Sequence, residues 1–324
     1  MDDAQPTWYT AAQVAERVPA DRARRLLEKV LLEGFDPAAD PGRISTPAGT
    51  GHLLLMPSSI SAWTGVKVAS VAPGNPDRGL PRIQAVYVLM DAETLTVRAL
   101  LEGAALTALR TPAVSAVAAD ALAPPGPAHL VVFGTGPQAV GHVRAFAAIR
   151  EPARVTVVGR RPERVRAVLA ELADLDTELA AGTAEDVAGA DIVVCATSAA
   201  EPLFDGSLVR DGACVVAMGS HETGRRELDA GLVGRSLVVV EDVATALREA
   251  GDVVLAVAEG ALEESALVPL RQVVTGAVTR REDAPNVFKG VGMSWQDLAV
   301  AVGVVDRRPE GPHRVRPAGR RVNR

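Results

Sequence analysis

The chain has 324 residues, 48% hydrophobic and 23% charged, with a net charge of −6. That length supports two domains, because single hydrophobic cores stop growing near ~250 to 300 residues, and the composition is that of a folded globular chain. No apolar run approaches the ~20 residues of a membrane-spanning helix, and an acidic body without a recognisable binding motif argues against a nucleic-acid partner.

The opening stretch "MDDAQPTWYTAAQVAERV" is acidic and lacks the basic and then apolar regions of a secretory leader, so a cytoplasmic protein is expected. Residues 1 to about 120 have α+β character. The apolar segments "GHLLLMPSS" and "IQAVYVLMDAET" flank the loop "PGNPDRGLP", and "ALTALRTPAVSAVAADALAP" has the pattern of a long Ala-rich helix interrupted at Pro112. Basic residues here stand singly in apolar surroundings.

From Ala128 the pattern changes to short apolar runs alternating with helical segments, the signature of a parallel sheet covered by helices. "AHLVVFG", "RVTVVGR", "ADIVVCAT", "ACVVAMG" and "SLVVVED" are the expected strands; each is a continuous apolar run because both faces are buried. Between the first strand and its helix lies Gly134-Thr135-Gly136-Pro137-Gln138-Ala139, a Gly-x-Gly-x-x-Ala turn in a strand-turn-helix context. Such a turn aims backbone N–H groups and a helix N-terminus at a pyrophosphate. The next strand ends at Gly159 followed by Arg160 and Arg161, where an NAD protein usually places an acidic residue. A guanidinium there suits a 2'-phosphate, so NADPH is the expected cofactor, with NADH possible. The fold class is therefore α/β: a Rossmann-type doubly wound parallel sheet plus an α+β domain.

Cys195 and Cys214 lie in apolar runs and read as buried small hydrophobes. The histidines at 52, 129, 142, 221 and 313 have no metal-ligand spacing, so no metal is expected. The basic end "DRRPEGPHRVRPAGRRVNR" reads as a solvated tail.

Several separated stretches, "GRISTP", "LLLMPSS", "GVKVASVAPGNP", "LPRIQAVYVLMDAET", "LEGAALTALRTPAVSAVAA", "VFGTGPQA", "GSHETGRREL" and "NVFKGVGMSWQDLA", together resemble the ornithine cyclodeaminase and mu-crystallin family. The resemblance implies a discontinuous substrate-binding and dimerisation domain, residues 1–120 plus 296–324, and a dinucleotide-binding domain, residues 121–295. It implies that Arg43, Lys67 and Arg110 converge on a substrate carboxylate, with Met56 and Gly292 beside them. Arg110, Thr197, Met218, Gly219 and Val291 join the glycine-turn residues as expected cofactor contacts. Lys67, if the cleft lowers its pKa, can also carry a proton.

The chain departs from the cyclodeaminases of that family at His221 in "MGSHETGRREL", where those enzymes carry an Asp. Histidine is a poor group for recognising the side-chain ammonium of ornithine. Arg82 in "LPRIQ" adds a cation where Thr is common. Both departures favour an NADPH-dependent reductase of an imino acid, or an amino-acid dehydrogenase, with Lys67 or His221 as proton source; the resemblance implies a homodimer. The alternatives are an ornithine cyclodeaminase releasing proline and ammonia, and a protein that holds NADPH and an apolar acid without turnover.

Overall fold

The computed structural model describes residues 5–126 and 128–306. The outermost four N-terminal residues and the basic tail from residue 307 lie outside them. In the first part of the chain, strands β1 (Thr7–Tyr9), β2 (Ile44–Ala48), β3 (Gly51–Ile60), β4 (Trp63–Val71), β5 (Ile83–Asp91) and β6 (Val97–Glu102) form a sheet in the order β1-β6-β5-β4-β3-β2. Only the β1/β6 pair of that sheet is parallel. Helices α1 (Ala11–Arg17), α2 (Ala20–Leu32) and α3 (Gly103–Leu122) accompany it. Thr10 and Gln13 close a reciprocal capping box on α1. Ala23, Leu27 and Leu31 give α2 a buried stripe at four-residue spacing.

Strict alternation along β4 sends Gly65, Lys67, Ala69 and Val71 into the interior and Thr64, Val66, Val68 and Ser70 to the opposite face. On that second face Pro57, Val66, Val88, Leu100 and Trp8 stand in one cross-strand row, with Leu55, Val68 and Val86 in the next. These side chains are half-buried or exposed, Trp8 at 45%, so a partly open apolar band crosses this side of the sheet between polar positions such as Thr64, Ser70 and Glu102.

The second part holds an all-parallel sheet of β7 (Ala128–Phe133), β8 (Pro152–Val158), β9 (Glu178–Ala181), β10 (Ile192–Cys195), β11 (Cys214–Ala217), β12 (Leu237–Val240), β13 (Val268–Pro269) and β14 (Asn286–Lys289). Its order is β13-β12-β14-β11-β10-β7-β8-β9. The four residues of β10, of β11 and of β14 are all buried, which is why the first two appear in sequence as unbroken apolar runs. Helices α4 (Pro137–Ala147), α5 (Pro162–Glu171), α6 (Ala230–Arg235), α7 (Val243–Glu249), α8 (Gly251–Ala258) and α9 (Leu270–Val274) connect the strands. The last helix, α10 (Ser294–Val305), leaves this sheet and packs on β3, β4, α2 and α3 of the first part. No helix among the described residues is long and apolar enough to cross a membrane.

One expectation is corrected. Pro112 does not interrupt its helix: α3 runs unbroken from Gly103 to Leu122. Glu102 caps its start by accepting from the N–H groups of Ala104 and Ala105. The turns around Pro112 are buried between α2 and α4, and the proline ring lies against Gly141 of α4. Burial of an almost wholly apolar helix outweighs the cost of about 3 kcal/mol that an interior proline imposes on an isolated one.

Candidate active site

The residues expected to hold a nucleotide line one edge of the parallel sheet, at the C-terminal ends of successive strands. Arg160 and Arg161 follow β8, the glycine turn follows β7, Thr197 follows β10, Met218 and Gly219 follow β11, and Val291 follows β14. Ligands of open α/β sheets lie outside these strand ends, where the order reverses. Here β7 is flanked on one side by β8 and on the other by β10.

The turn fits a pyrophosphate. Gly134 has φ +127°, and a side chain there would collide with the carbonyl oxygen of Ala196, 2.4 Å from the position of a Cβ. Gly136 caps α4, no side chain bonds to that helix start, and the space beyond its Cα is open. Ala139 is buried against the sheet and Thr135 packs on Gly159. The Gln138 side-chain oxygen is buried with no hydrogen-bond partner. Arg160 and Arg161 are exposed and make no ion pair among the described residues. Behind the turn His142, wholly buried, bonds the Gln138 carbonyl and the Ser115 hydroxyl; burial pushes its pKa down to about 4, so it is neutral.

Next along the same edge, four segments bring the expected substrate residues together. Lys67 from β4 stands opposite Met56 on β3 and Tyr87 on β5, 3% exposed. Its Nζ donates to Asp297 Oδ2 of α10 at 2.7 Å and to Thr107 Oγ1 of α3 at 3.1 Å. Arg110, one turn further along α3, donates from Nη1 to Gln296 Oε1 at 3.1 Å, and its Nε lies 3.6 Å from Asp297 Oδ1. Among the described residues neither that Nε nor that Oδ1 has a hydrogen-bond partner. Arg43 reaches across to the carbonyls of Val291 and Gly292 at 2.9 and 2.6 Å and pairs with Glu249 at 2.9 Å. Gly292, at φ +78°, leaves the space that the Arg110 guanidinium occupies; a Cβ would come within 2.1 Å of it.

Burial pushes Lys67 down to about 8, against the pull of Asp297. Burial likewise lowers Arg43, which keeps its charge at any working pH. His221, in the loop after β11, is open to solvent on one side and enclosed on the other. Desolvation and then the nearby Arg43 charge lower its pKa, so it is neutral near pH 7. Arg82 is exposed and makes no ion pair among the described residues. Among the described residues no group of three His, Cys, Asp or Glu side chains is gathered to hold a metal.

Sequence reasoning missed the acidic half of this site. Asp297, wholly buried, joins Lys67 to Arg110. Glu241 accepts from the N–H groups of Val291 and Gly292 and from Gln296 Nε2, so it fixes the segment under Arg43 and the partner of Arg110. Asp40 accepts from Ser58 and from the Trp295 N–H at the start of α10, and burial raises its pKa to about 6. The available signal was a pair of polar residues, Gln296 and Asp297, inside an otherwise apolar helix.

A doubly wound sheet whose glycine turn adjoins a cluster of buried cations has the architecture of a dinucleotide-binding protein. Residues 12–311 match the model of the ornithine cyclodeaminase/mu-crystallin family, and the chain belongs to that family. It is 35% identical over 261 residues to a Delta(1)-pyrroline-2-carboxylate reductase 2 of Burkholderia ambifaria, covering 80% of this chain and 82% of that one. It is 32% identical over 316 residues to the ketimine reductase mu-crystallin of Mus musculus, covering 94% and 98%. The structure of the Thermococcus litoralis Delta(1)-pyrroline-2-carboxylate reductase in complex with NADH and L-proline superposes with a TM-score of 0.87 at 28% identity, covering 93% and 97% of the two chains.

Proposed function

We propose that this protein is an NADPH-dependent reductase of imino acids, of the ketimine and pyrroline- or piperideine-carboxylate type, running in reverse as an amino-acid dehydrogenase. The observation that carries the reading is the set of buried cationic donors with spare bonding capacity. Lys67 uses two of its three N–H groups, and Arg110 has an unbonded Nε. Unused buried donors are costly unless a ligand fills them, and a carboxylate offers two oxygens to do so.

The reduced cofactor, when bound, supplies a hydride. Thr135 to Ala139 and the start of α4 would hold its pyrophosphate, and the free guanidiniums of Arg160 and Arg161 support a 2'-phosphate and hence NADPH. Arg110 and Arg43 grip and orient the substrate carboxylate, and Met56 forms a wall. As the C=N carbon accepts the hydride, the π pair of the double bond becomes an N–H bond with the proton that Lys67 gives up. A pKa of about 8 makes Lys67 an effective acid at neutral pH. Asp297 and Thr107 hold its Nζ in place. His221 is a second proton carrier at the mouth. Because it is not a carboxylate, the ammonium of ornithine finds no anion at position 221, which favours reduction over cyclodeamination.

The open apolar band on the first sheet supports a homodimer. Two such faces packed together bury the rows from Pro57 to Trp8 and from Leu55 to Val86, as monomers seldom leave so continuous a patch in water. The proposed location is the cytoplasm, where the reduced cofactor is regenerated.

Purified full-length protein should consume NADPH with 1-pyrroline-2-carboxylate or 1-piperideine-2-carboxylate, followed at 340 nm, and yield the cyclic amino acid. Ammonia and proline from ornithine, with no imine reduction, would overturn the reading in favour of the cyclodeaminase. Equal kcat/KM with NADH would remove the role given to Arg160 and Arg161. Sedimentation at micromolar concentration should report a dimer.

A further inference from the structure

A second set of buried charges stands outside the cation cluster and takes no part in the reaction proposed above. Glu227, wholly buried, accepts from the Thr197 N–H at 2.8 Å and the Thr197 hydroxyl at 2.7 Å on one oxygen, and from the Gly219 N–H at 2.8 Å on the other. The Thr197 hydroxyl itself accepts from the Ala199 N–H, so it acts as a donor toward Glu227. The backbone N–H groups of Glu227 and Leu228 donate to Asp252 Oδ1 of α8 at 2.7 and 2.9 Å. Lys289, the last residue of β14, pairs with Asp252 Oδ2 at 2.9 Å and donates to the Ser220 carbonyl at 2.6 Å. Glu227, Asp252 and Lys289 are each at most 2% exposed.

This network ties together the C-terminal ends of β10, β11 and β14, which are adjacent in the sheet. It is a long way to bring three charges merely to cap loops. A buried carboxylate whose oxygens are both filled by N–H and O–H donors fixes those donors in position, and here the fixed atoms belong to Thr197 and Gly219. Along the strand-end edge the order is Arg160 after β8, the glycine turn after β7, then Thr197 and Gly219, then the Arg43–Gly292 contact after β14. If the cofactor is read as above, its adenosine half lies at the first of these and its pyrophosphate at the second. The strand ends held by Glu227 then face the nicotinamide half.

We infer that Glu227, backed by Asp252 and Lys289, is a positioning residue that holds the Thr197 and Gly219 backbone against the nicotinamide half of the dinucleotide. The inference rests on the dinucleotide reading of the cleft.

The test is calorimetric titration of wild type and Glu227→Gln with NADPH and with ADP-ribose 2'-phosphate, which lacks the nicotinamide, with NADH and ADP-ribose titrated in parallel. The amide of Glu227→Gln has one oxygen and cannot receive all three donors. The expected result is a loss of about tenfold in affinity for the complete dinucleotide, with the truncated nucleotide bound within about twofold of wild type. Loss of both affinities alike, or of neither, would overturn the inference while leaving the cofactor reading intact. A wild type that binds none of the four nucleotides would overturn the cofactor reading and the inference with it. Should Glu227→Gln not fold, Thr197→Val removes one of the three bonds to Glu227 and keeps the backbone; a selective loss of about threefold is expected, and a uniform loss or none overturns the inference.

Discussion

Two clusters of buried charge flank the same sheet edge. Lys67, Arg110 and Asp297 join the first sheet to α3 and α10, whereas Glu227, Asp252 and Lys289 join three strand ends of the second sheet. In the second cluster Glu227 has both oxygens filled by hydrogen bonds, and Asp252 takes two backbone N–H groups on one oxygen and the Lys289 ammonium as an ion pair at 2.9 Å on the other. In the first, Arg110 Nε and Asp297 Oδ1 make no hydrogen bond among the described residues and meet only as a loose ion pair at 3.6 Å, beside a Lys67 that burial has pushed down to about 8. Close contacts on every carboxylate oxygen mark a scaffold. A guanidinium nitrogen and a carboxylate oxygen held apart beside an ammonium mark a place with room to receive something.

Matched substitutions separate the two roles. Lys67→Met should lower kcat/KM for imine reduction by about a thousandfold, the scale of a lost general acid, while the protein still melts cooperatively; a loss below tenfold in steady-state kinetics would deny Lys67 the proton. Lys289→Met strands Asp252 and Glu227 without their cation and should cost about 3 to 5 kcal/mol of stability in urea unfolding. A cost under about 1 kcal/mol would erase the distinction. Arg110→Lys keeps the charge but not the planar fork, so KM for the imino acid should rise about tenfold with kcat less affected.

The smallest effect is a displaced pH profile. Protonated Lys67 is the acid, so reduction should fall as pH rises through about 8, and amino-acid oxidation should rise over the same interval. Asp297 holds that pKa up, so Asp297→Asn should move both limbs to lower pH. A profile unmoved by the substitution would mean that another group governs it.

The parallel sheet was legible in the sequence because its signals are local. "ADIVVCAT" and "ACVVAMG" announce strands buried on both faces, and the glycine turn stands between a strand and a helix within a dozen residues. Pro112 misled because its cost is also local, while the burial that outweighs it comes from α2 and α4. The anionic partners were illegible for a related reason. Lys67 and Asp297 are 230 positions apart, and only the pairing of β3, β4 and β5 and the return of α10 bring them together. Arg43, Lys67 and Arg110 were found through family likeness; the local hint was only that basic residues there stand singly in apolar surroundings. Glu227 and Lys289 lay within quoted motifs, "GSHETGRREL" and "NVFKGVGMSWQDLA", yet a charged residue in a motif does not say that it is buried.

The return of α10 also makes the two sheets depend on each other. Asp297 and Gln296 follow the strands of the glycine-turn sheet in the chain, yet their side chains complete the Lys67 and Arg110 cluster of the first sheet. Any loosening of α10 therefore reaches the cleft directly, leaving the Lys67 ammonium without its carboxylate and Arg110 without its amide.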